Sequence, residues 1–265
     1  MPTISKSALD VTSDRPYPLP ARPWRMRQRW NDLLFAHWPI PAAAMQALLP
    51  PALEVDTFDG YAWAGIVPFW MDRVANRLPF QTTGDVTLGV PTTGTFAELN
   101  LRTYVRSRRT GLAGVFFFSL DCTSPLAVIG ARTIFHLPYF FADISRTTST
   151  SAGTVTTDYR SRRQFTRQPV RFEASFAPSG PVLPVATPGT LEHFLTERYA
   201  LFTPFAGRML AGDIHHVPWP LQPAEAEIRI NEIPAAHGLI LPDRKPVLHF
   251  ARHLDVTLWT LRKDK

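Results

Sequence analysis

Proline sets the first limit on what this chain can build. It supplies 26 of the 265 residues, with 18 Phe and 7 Trp beside it, about twice the ordinary proline usage. Proline removes a backbone donor and breaks helix interiors, so this density together with the aromatic content favours many short, aromatically packed strands over long helices. The remaining composition, 45% apolar and 19% charged, excludes chain-wide disorder and collagen-like repeats. The length allows either one large core or two domains. No repeat, heptad run or compositional break marks a linker, which gives one domain over residues 24–262 behind a flexible tail, residues 1–23, punctuated by Pro16, Pro18, Pro20 and Pro23.

The single cysteine, Cys122, removes any disulfide framework, CxxC pair or thiolate-rich zinc site and fits a reducing cytoplasm. Met1 to Asp14 lacks the basic start and apolar stretch of a secretory signal. The most apolar window, Leu112 to Leu120, is far short of the roughly 18 residues of a membrane span, so a soluble protein without a membrane partner is expected. The formal net charge of +6, with clusters at Arg102, Arg106, Arg108, Arg109 and at Arg160, Arg162, Arg163, Arg167, Arg171, has the look of a phosphate footprint. Both clusters fall near predicted strand ends, where a charge stays solvated and discourages edge pairing. No nucleic-acid-binding motif accompanies them, and nucleic acid is not an expected partner. The lysines are Lys6, Lys245, Lys263 and Lys265 alone. With Lys6 and the last two in terminal tails and Lys245 in a proline-flanked turn, a Schiff base on a buried lysine is not expected.

Periodicity predicts a strand over Trp30–Trp38 and a short helix that starts with Pro41 at its first position and stops at Pro50-Pro51. A hairpin follows from Leu53–Asp56 through Asp59-Gly60 to Tyr61–Met71, then a long loop over residues 72–95. Ala97–Arg106 alternates cleanly: Ala97, Leu99, Leu101, Thr103 and Val105 on one face; Glu98, Asn100, Arg102, Tyr104 and Arg106 on the other. Gly114–Asp121 is its expected hairpin partner. Ser124-Pro125 reads as N-cap and first position of a buried helix, Leu126–His136, with an apolar strand as the competing reading. A three-strand meander over Tyr139–Arg146, Thr154–Arg162 and Val170–Phe176, a Thr190-capped helix from Leu191 to about Tyr199, and strands at Asp213–Val217, Glu225–Asn231 and Val247–Trp259 complete an α+β chain without βαβ alternation.

The stretch from Asn31 to about Ile144 resembles the acetoacetate decarboxylase superfamily, and the whole chain is similar to its YqjF-like branch. The resemblance is carried by MQALLPPALEVDTFDG (Met45 to Gly60), FAELNLRTYV (Phe96 to Val105), GARTIFHLPYFFA (Gly130 to Ala142), HHVPWPLQPAE (His215 to Glu225) and ARHLDV (Ala251 to Val256). It implies an α+β fold, a curved antiparallel sheet closing into a cone-like barrel with a few short helices around a small-molecule pocket, and assembly into homo-oligomers. The decarboxylases carry two consecutive lysines after the proline of the third segment, one of which forms the Schiff base. Tyr139 and Phe140 follow Pro138 here, so imine chemistry does not carry over. Arg132 and the acidic Glu98 are the matching positions that survive.

The polar face of the Ala97–Arg106 strand has two readings. In one it lines the pocket, with Glu98 as acid or base, Arg102 or Arg132 holding a carboxylate or polarising a carbonyl, and Asn100 and Tyr104 contacting substrate. In the other it is a solvated outer face. Tyr139 is a proton donor or an aromatic wall. His215 and His216 point to opposite sides of a strand, so only one reaches a shared site, and His216 is the candidate acid or base. Trp219 lines the pocket or the core. His249, His253 and Asp255 share a face as a weak metal constellation, but residues four apart on a strand are separated by about 13 Å, so no metal is expected. The sequence thus reads as a small-molecule pocket protein needing no cofactor, with acid–base chemistry on a carbonyl- or carboxylate-bearing substrate. The alternative is a non-catalytic ligand-binding or sensor protein.

Overall fold

A computed structural model describes residues 9–77, 87–88, 94–151 and 153–265. Four long strands form its middle: β1 (Met26–Pro41), β3 (Tyr61–Arg77), β5 (Phe96–Ser107) and β6 (Ala113–Cys122), each antiparallel to the next. Short pieces attach to them: α1 (Ala42–Gln46), β2 (Leu53–Val55) on β5, and β4 (Thr87–Leu88) on β3. The helix α2 (Pro125–Ile134) crosses over to β7 (Tyr139–Ser151), which joins β6 in parallel at Leu120↔Tyr139. The meander continues through β8 (Thr154–Arg163) and β9 (Arg171–Pro178) to β12 (Leu221–Asn231), and β13 (Val247–Leu258) returns to β1.

The path β5-β6-β7-β8-β9-β12-β13-β1-β3 and back to β5 is a closed barrel of nine strands. Closure leaves no open edge along that path. The sheet is mixed, not wholly antiparallel, because β6 is also joined in parallel by β10 (Ala200–Phe205). The helix α3 (Leu191–Thr196) precedes β10, and β11 (Arg208–His215) continues from it to pair with β13 and carry β14 (Arg262–Lys263).

Both faces of the middle strands are buried. Leu33, Phe35, Phe69, Tyr104, Leu195 and Trp219 belong to one core, while Leu34, Ala36, Leu99, Leu101, Phe172 and Phe176 belong to a second, between the middle strands and the meander. Each buried Leu or Phe among them contributes about 1.5–3 kcal/mol by leaving water, and two cores on one sheet explain why alternation alone did not fix an outside. At Asp32, where φ is +48°, β1 changes face: Trp30 and Leu33 pack on the same core, as do Ala251 and Leu254 opposite them. The expected shared face of His249, His253 and Asp255 is lost there. His249 is buried, His253 is exposed, and Asp255 is paired to Arg29 at 2.6 Å.

Several local expectations change with tertiary pairing. Pro41 caps α1 from outside the helix. Leu53–Val55 pairs with β5 and not with Tyr61–Met71, although Asp59 and Gly60, at φ +50° and +79°, do make the tight turn closed by Phe58↔Tyr61. Part of the expected loop at 72–95 is strand, since β3 runs to Arg77 and pairs with β4; residues 78–86 and 89–93 of that loop lie outside the described residues. α2 forms with its Ser124 cap accepting from Ala127 N at 3.2 Å, yet only Val128 is buried, and Leu126, Ile129 and Ile134 are exposed. α3 has its Thr190 cap but ends at Thr196. In the expected tail, Arg15 is buried and donates to Ile214 O, and Arg22 reaches Asp213 at 2.7 Å, so these residues are fastened to the barrel. Lys263 lies in β14, not in a tail. Among the described residues, no helix is long and apolar enough to cross a membrane.

Candidate functional site

Glu98 lies on β5 opposite Cys122 of β6, and only 3% of it is exposed. Two tyrosines from the meander enclose it. Tyr139, the first residue of β7, donates its hydroxyl to Glu98 Oε2 at 2.7 Å, while Tyr159 from β8 donates to the Glu98 carbonyl oxygen at 2.7 Å. Burial penalises the charged form and pushes the Glu98 carboxyl up to about 7, opposed by hydrogen bonds from Tyr139 and Asn100 and reinforced by Asp121. Burial and the neighbouring Glu98 hold the Tyr139 hydroxyl well above the usual tyrosine range, so it is a neutral donor near pH 7.

A cavity of about 470 Å³ ends on Tyr139. Its walls are apolar (Met26, Val74, Phe96, Leu258 and the α2 residues Ala127 and Ala131), and Arg25, Gln28, Asn76 and Arg77 supply its polar groups. Tyr139 therefore stands between the cavity and the buried acid. The combination of an apolar chamber, a neutral hydroxyl and a carboxyl titrating near neutrality can polarise an oxygen on a ligand and move one proton.

The eight sequence candidates separate into three places. Glu98, Asn100 and Tyr139 meet, through the hydrogen bonds of Tyr139 and Asn100 to the Glu98 carboxyl. Arg102, Tyr104, His216 and Trp219 lie in a second cluster, and none of them lines the Tyr139 cavity. Arg102 Nη2 donates to Tyr104 Oη at 3.2 Å and to Leu195 O at 3.3 Å, and the Tyr104 hydroxyl meets His37 Nε2 at 2.7 Å. His216 packs against Tyr199 and Trp219 with ring centroids 4.7 Å and 5.4 Å away; burial lowers it to about 4. His215 also stacks on Tyr199, at 6.2 Å, so the two neighbouring histidines share a partner although their backbone directions differ. Arg132 is the correction: its side chain is exposed on α2, over Phe140 at 5.9 Å, on a depression shared with His136 and Phe205. The helix turn that puts Ala127 and Ala131 on the cavity wall leaves Arg132 beyond it.

Two arginines read as solvated are buried. Arg102 is one, and Arg163 pairs with the buried Asp121 at 2.7 Å beneath Phe140. Burial raises the Cys122 thiol, which makes it a packing residue and not a nucleophile. Sequence reasoning missed Arg25, Gln28, Asn76, Arg77 and His37. The Trp24–Gln28 run of alternating polar residues just before the predicted first strand was the available signal for two of them.

Residues 27–255 match the family model DUF2071, described as an uncharacterized conserved protein. The chain belongs to this family. It is 45% identical over 242 residues to the uncharacterized protein YqjF of Bacillus subtilis (strain 168), covering 91% of this chain and 93% of that protein. Solved structures share the fold at low identity. The enduracididine biosynthesis enzyme MppR with HEPES buffer bound aligns with a TM-score of 0.60 at 14% identity, over 92% of this chain and 89% of its own. An acetoacetate decarboxylase-like enzyme from Sphingomonas wittichii RW1 aligns at 0.58 and 14%, over 92% and 94%. The acetoacetate decarboxylase of Legionella pneumophila aligns at 0.56 and 15%, over 99% and 98%.

Proposed function

We propose that this protein takes up a small, largely apolar organic molecule bearing a carbonyl or carboxylate oxygen, and that the Tyr139–Glu98 pair performs acid–base chemistry on it. The observation that carries this reading is the 2.7 Å bond from a cavity-lining tyrosine to a buried carboxyl raised to about 7. With Glu98 protonated, its hydroxyl donates to Tyr139 Oη and frees the tyrosine proton for the ligand oxygen. Return of a proton to Glu98 resets the pair. Enolisation, hydration and dehydration beside a carbonyl are the reaction types that need such a donor. A related fold holding pyruvate in the enduracididine enzyme supports a carbonyl compound as the ligand class.

An imine mechanism is not part of the proposal. Lys245, Lys263 and Lys265 are exposed and line other depressions, and Lys6 lies outside the described residues. The test is a thermal-shift screen of wild type, Glu98→Gln and Tyr139→Phe against keto acids, hydroxy acids and medium-chain ketones, with each hit followed by NMR for conversion. Conversion by wild type and binding without conversion by both variants supports the proposal. Binding without conversion by all three proteins establishes the ligand-binding or sensor reading instead.

A further inference from the structure

Arg102 is 7% exposed, and among the described residues no carboxylate pairs with it. Its acceptors are neutral, the Tyr104 hydroxyl and the Leu195 carbonyl, and its guanidinium lies 5.1 Å from the Phe35 ring. Its Nε is buried without a partner. A charge held out of water with no counter-ion costs several kcal/mol. Arg163 and Arg198 meet that cost with Asp121 and Asp56, at 2.7 Å and 2.6 Å, whereas Arg15, equally buried, donates to a backbone carbonyl, Ile214 O.

The groups around Arg102 come from every element packed on it. His37 stands beside it across Gly65, where an added Cβ would lie 2.9 Å from His37 Nε2 and 3.4 Å from Arg102 Cγ. His249 and His216 lie close enough to exchange charge effects with His37 and Arg102, and burial lowers all three histidines, leaving them neutral near pH 7. Arg198 is neutralised by Asp56. The carboxylate of Glu192 on α3 reaches His249 at 3.5 Å but stays 37% exposed at the rim. Two further polar atoms of this cluster are buried without partners: His37 Nδ1, and Trp219 Nε1, a donor whose ring packs on Phe35 at 4.8 Å.

We infer that Arg102 is the anchor of an anion site, separate from the Tyr139 cavity, that takes the carboxylate of a small monoanion under α3. One negative charge cancels one buried positive charge. The free Arg102 Nε and Trp219 Nε1, whose side chains both pack on the Phe35 ring, are donors that the protein itself leaves unused. The inference goes beyond the proposed chemistry and does not rest on it.

The test uses the full chain, with sodium propionate as probe and sodium chloride at matched ionic strength as control, read by thermal unfolding and by imidazole NMR. Wild type and Tyr139→Phe should gain stability saturably with propionate and not with chloride, and the resonances of His37, His216 and His249 should shift along the same isotherm. Arg102→Gln should melt at or above wild type without propionate, because the uncompensated charge is gone, and should bind propionate at least tenfold more weakly. Arg102→Gln binding within twofold of wild type overturns the site, as does a wild type whose imidazole signals ignore propionate. That second readout needs no variant to fold. Saturation by inorganic phosphate with none by propionate overturns the monocarboxylate assignment.

Discussion

The carboxyl of Glu98 is made a weak acid by folding, and that has a cost with a definite sign. Its value moves from 4.5 to about 7, so the folded state holds the proton more tightly than the unfolded chain. The associated stability is full below about pH 4.5 and is lost as pH rises through 7, a change of up to about 3 kcal/mol at 1.36 kcal/mol per unit. Glu98→Gln keeps an acceptor for Tyr139 and cannot ionise. Urea unfolding should therefore find it more stable than wild type at pH 8, by about 1–3 kcal/mol, with the gap closing by pH 5; a gap independent of pH would contradict the assignment. Tyr139→Phe removes a hydrogen bond that favours the carboxylate, so the Glu98 carboxyl should titrate higher still, measured by the carboxyl carbon shift of labelled Glu. At this scale the sequence showed the row Glu98, Asn100, Arg102, Tyr104 but not its surroundings. The same alternation describes a wet face and a pocket face, and tertiary packing buries both faces of β5.

Elements behaved according to how local their causes are. The Ser124 and Thr190 caps are bonds spanning three residues, from Ala127 N and His193 N, and both were legible. Ser124→Ala should cost about 1 kcal/mol in the midpoint of chemical unfolding, without change to any ligand response. β10 was missed although it forms a local hairpin with β11, closing at Phe205↔Arg208; what no local pattern contains is its second partner, β6, nearly ninety positions earlier: Leu201↔Val115. That parallel join depends on Gly114, where a Cβ would lie 2.6 Å from Ala200 O, a backbone atom with nowhere to move. Gly114→Ala is expected to push β10 off β6 and destabilise by about 1–3 kcal/mol. Hydrogen exchange should localise the loss to Ala200–Phe205, and uniform loss across the barrel would point to a different cause. The α2 helix was readable as a helix, but its exposed Leu126, Ile129 and Ile134 were not, since its apolar pattern alone states no partner.

Taken whole, the barrel sets two opposed pH dependences. His216 and His237 are both lowered from 6.5 to about 4, chiefly by burial. A lowered folded value means stability present above pH 6.5 and lost as pH falls toward 4, the reverse of Glu98. Burial lowers His37 and His249 in the same direction. Burial raises Asp121 and Glu197 in the same sense as Glu98, so four lowered histidines stand against three raised carboxyls and the stability maximum falls near neutrality. Melting temperature should fall steadily from pH 6.5 to 4, more steeply in Glu98→Gln, which has lost one of the opposing groups; a flat profile over that range would show that these rings are solvated.

The sequence by itself determined the elements whose causes lie within a few residues: the β5 alternation, the caps and the Asp59-Gly60 turn. It also carried the resemblance that implied a barrel. Tertiary structure alone decided that both sides of β5 are buried, why burial pushes the Glu98 carboxyl up to about 7, where Arg132 points, and why Arg102 is buried without a counter-ion. Tyr139 and Tyr159 reach Glu98 across 41 and 61 positions. Desolvation is a property of everything that surrounds a group, and no local pattern contains it.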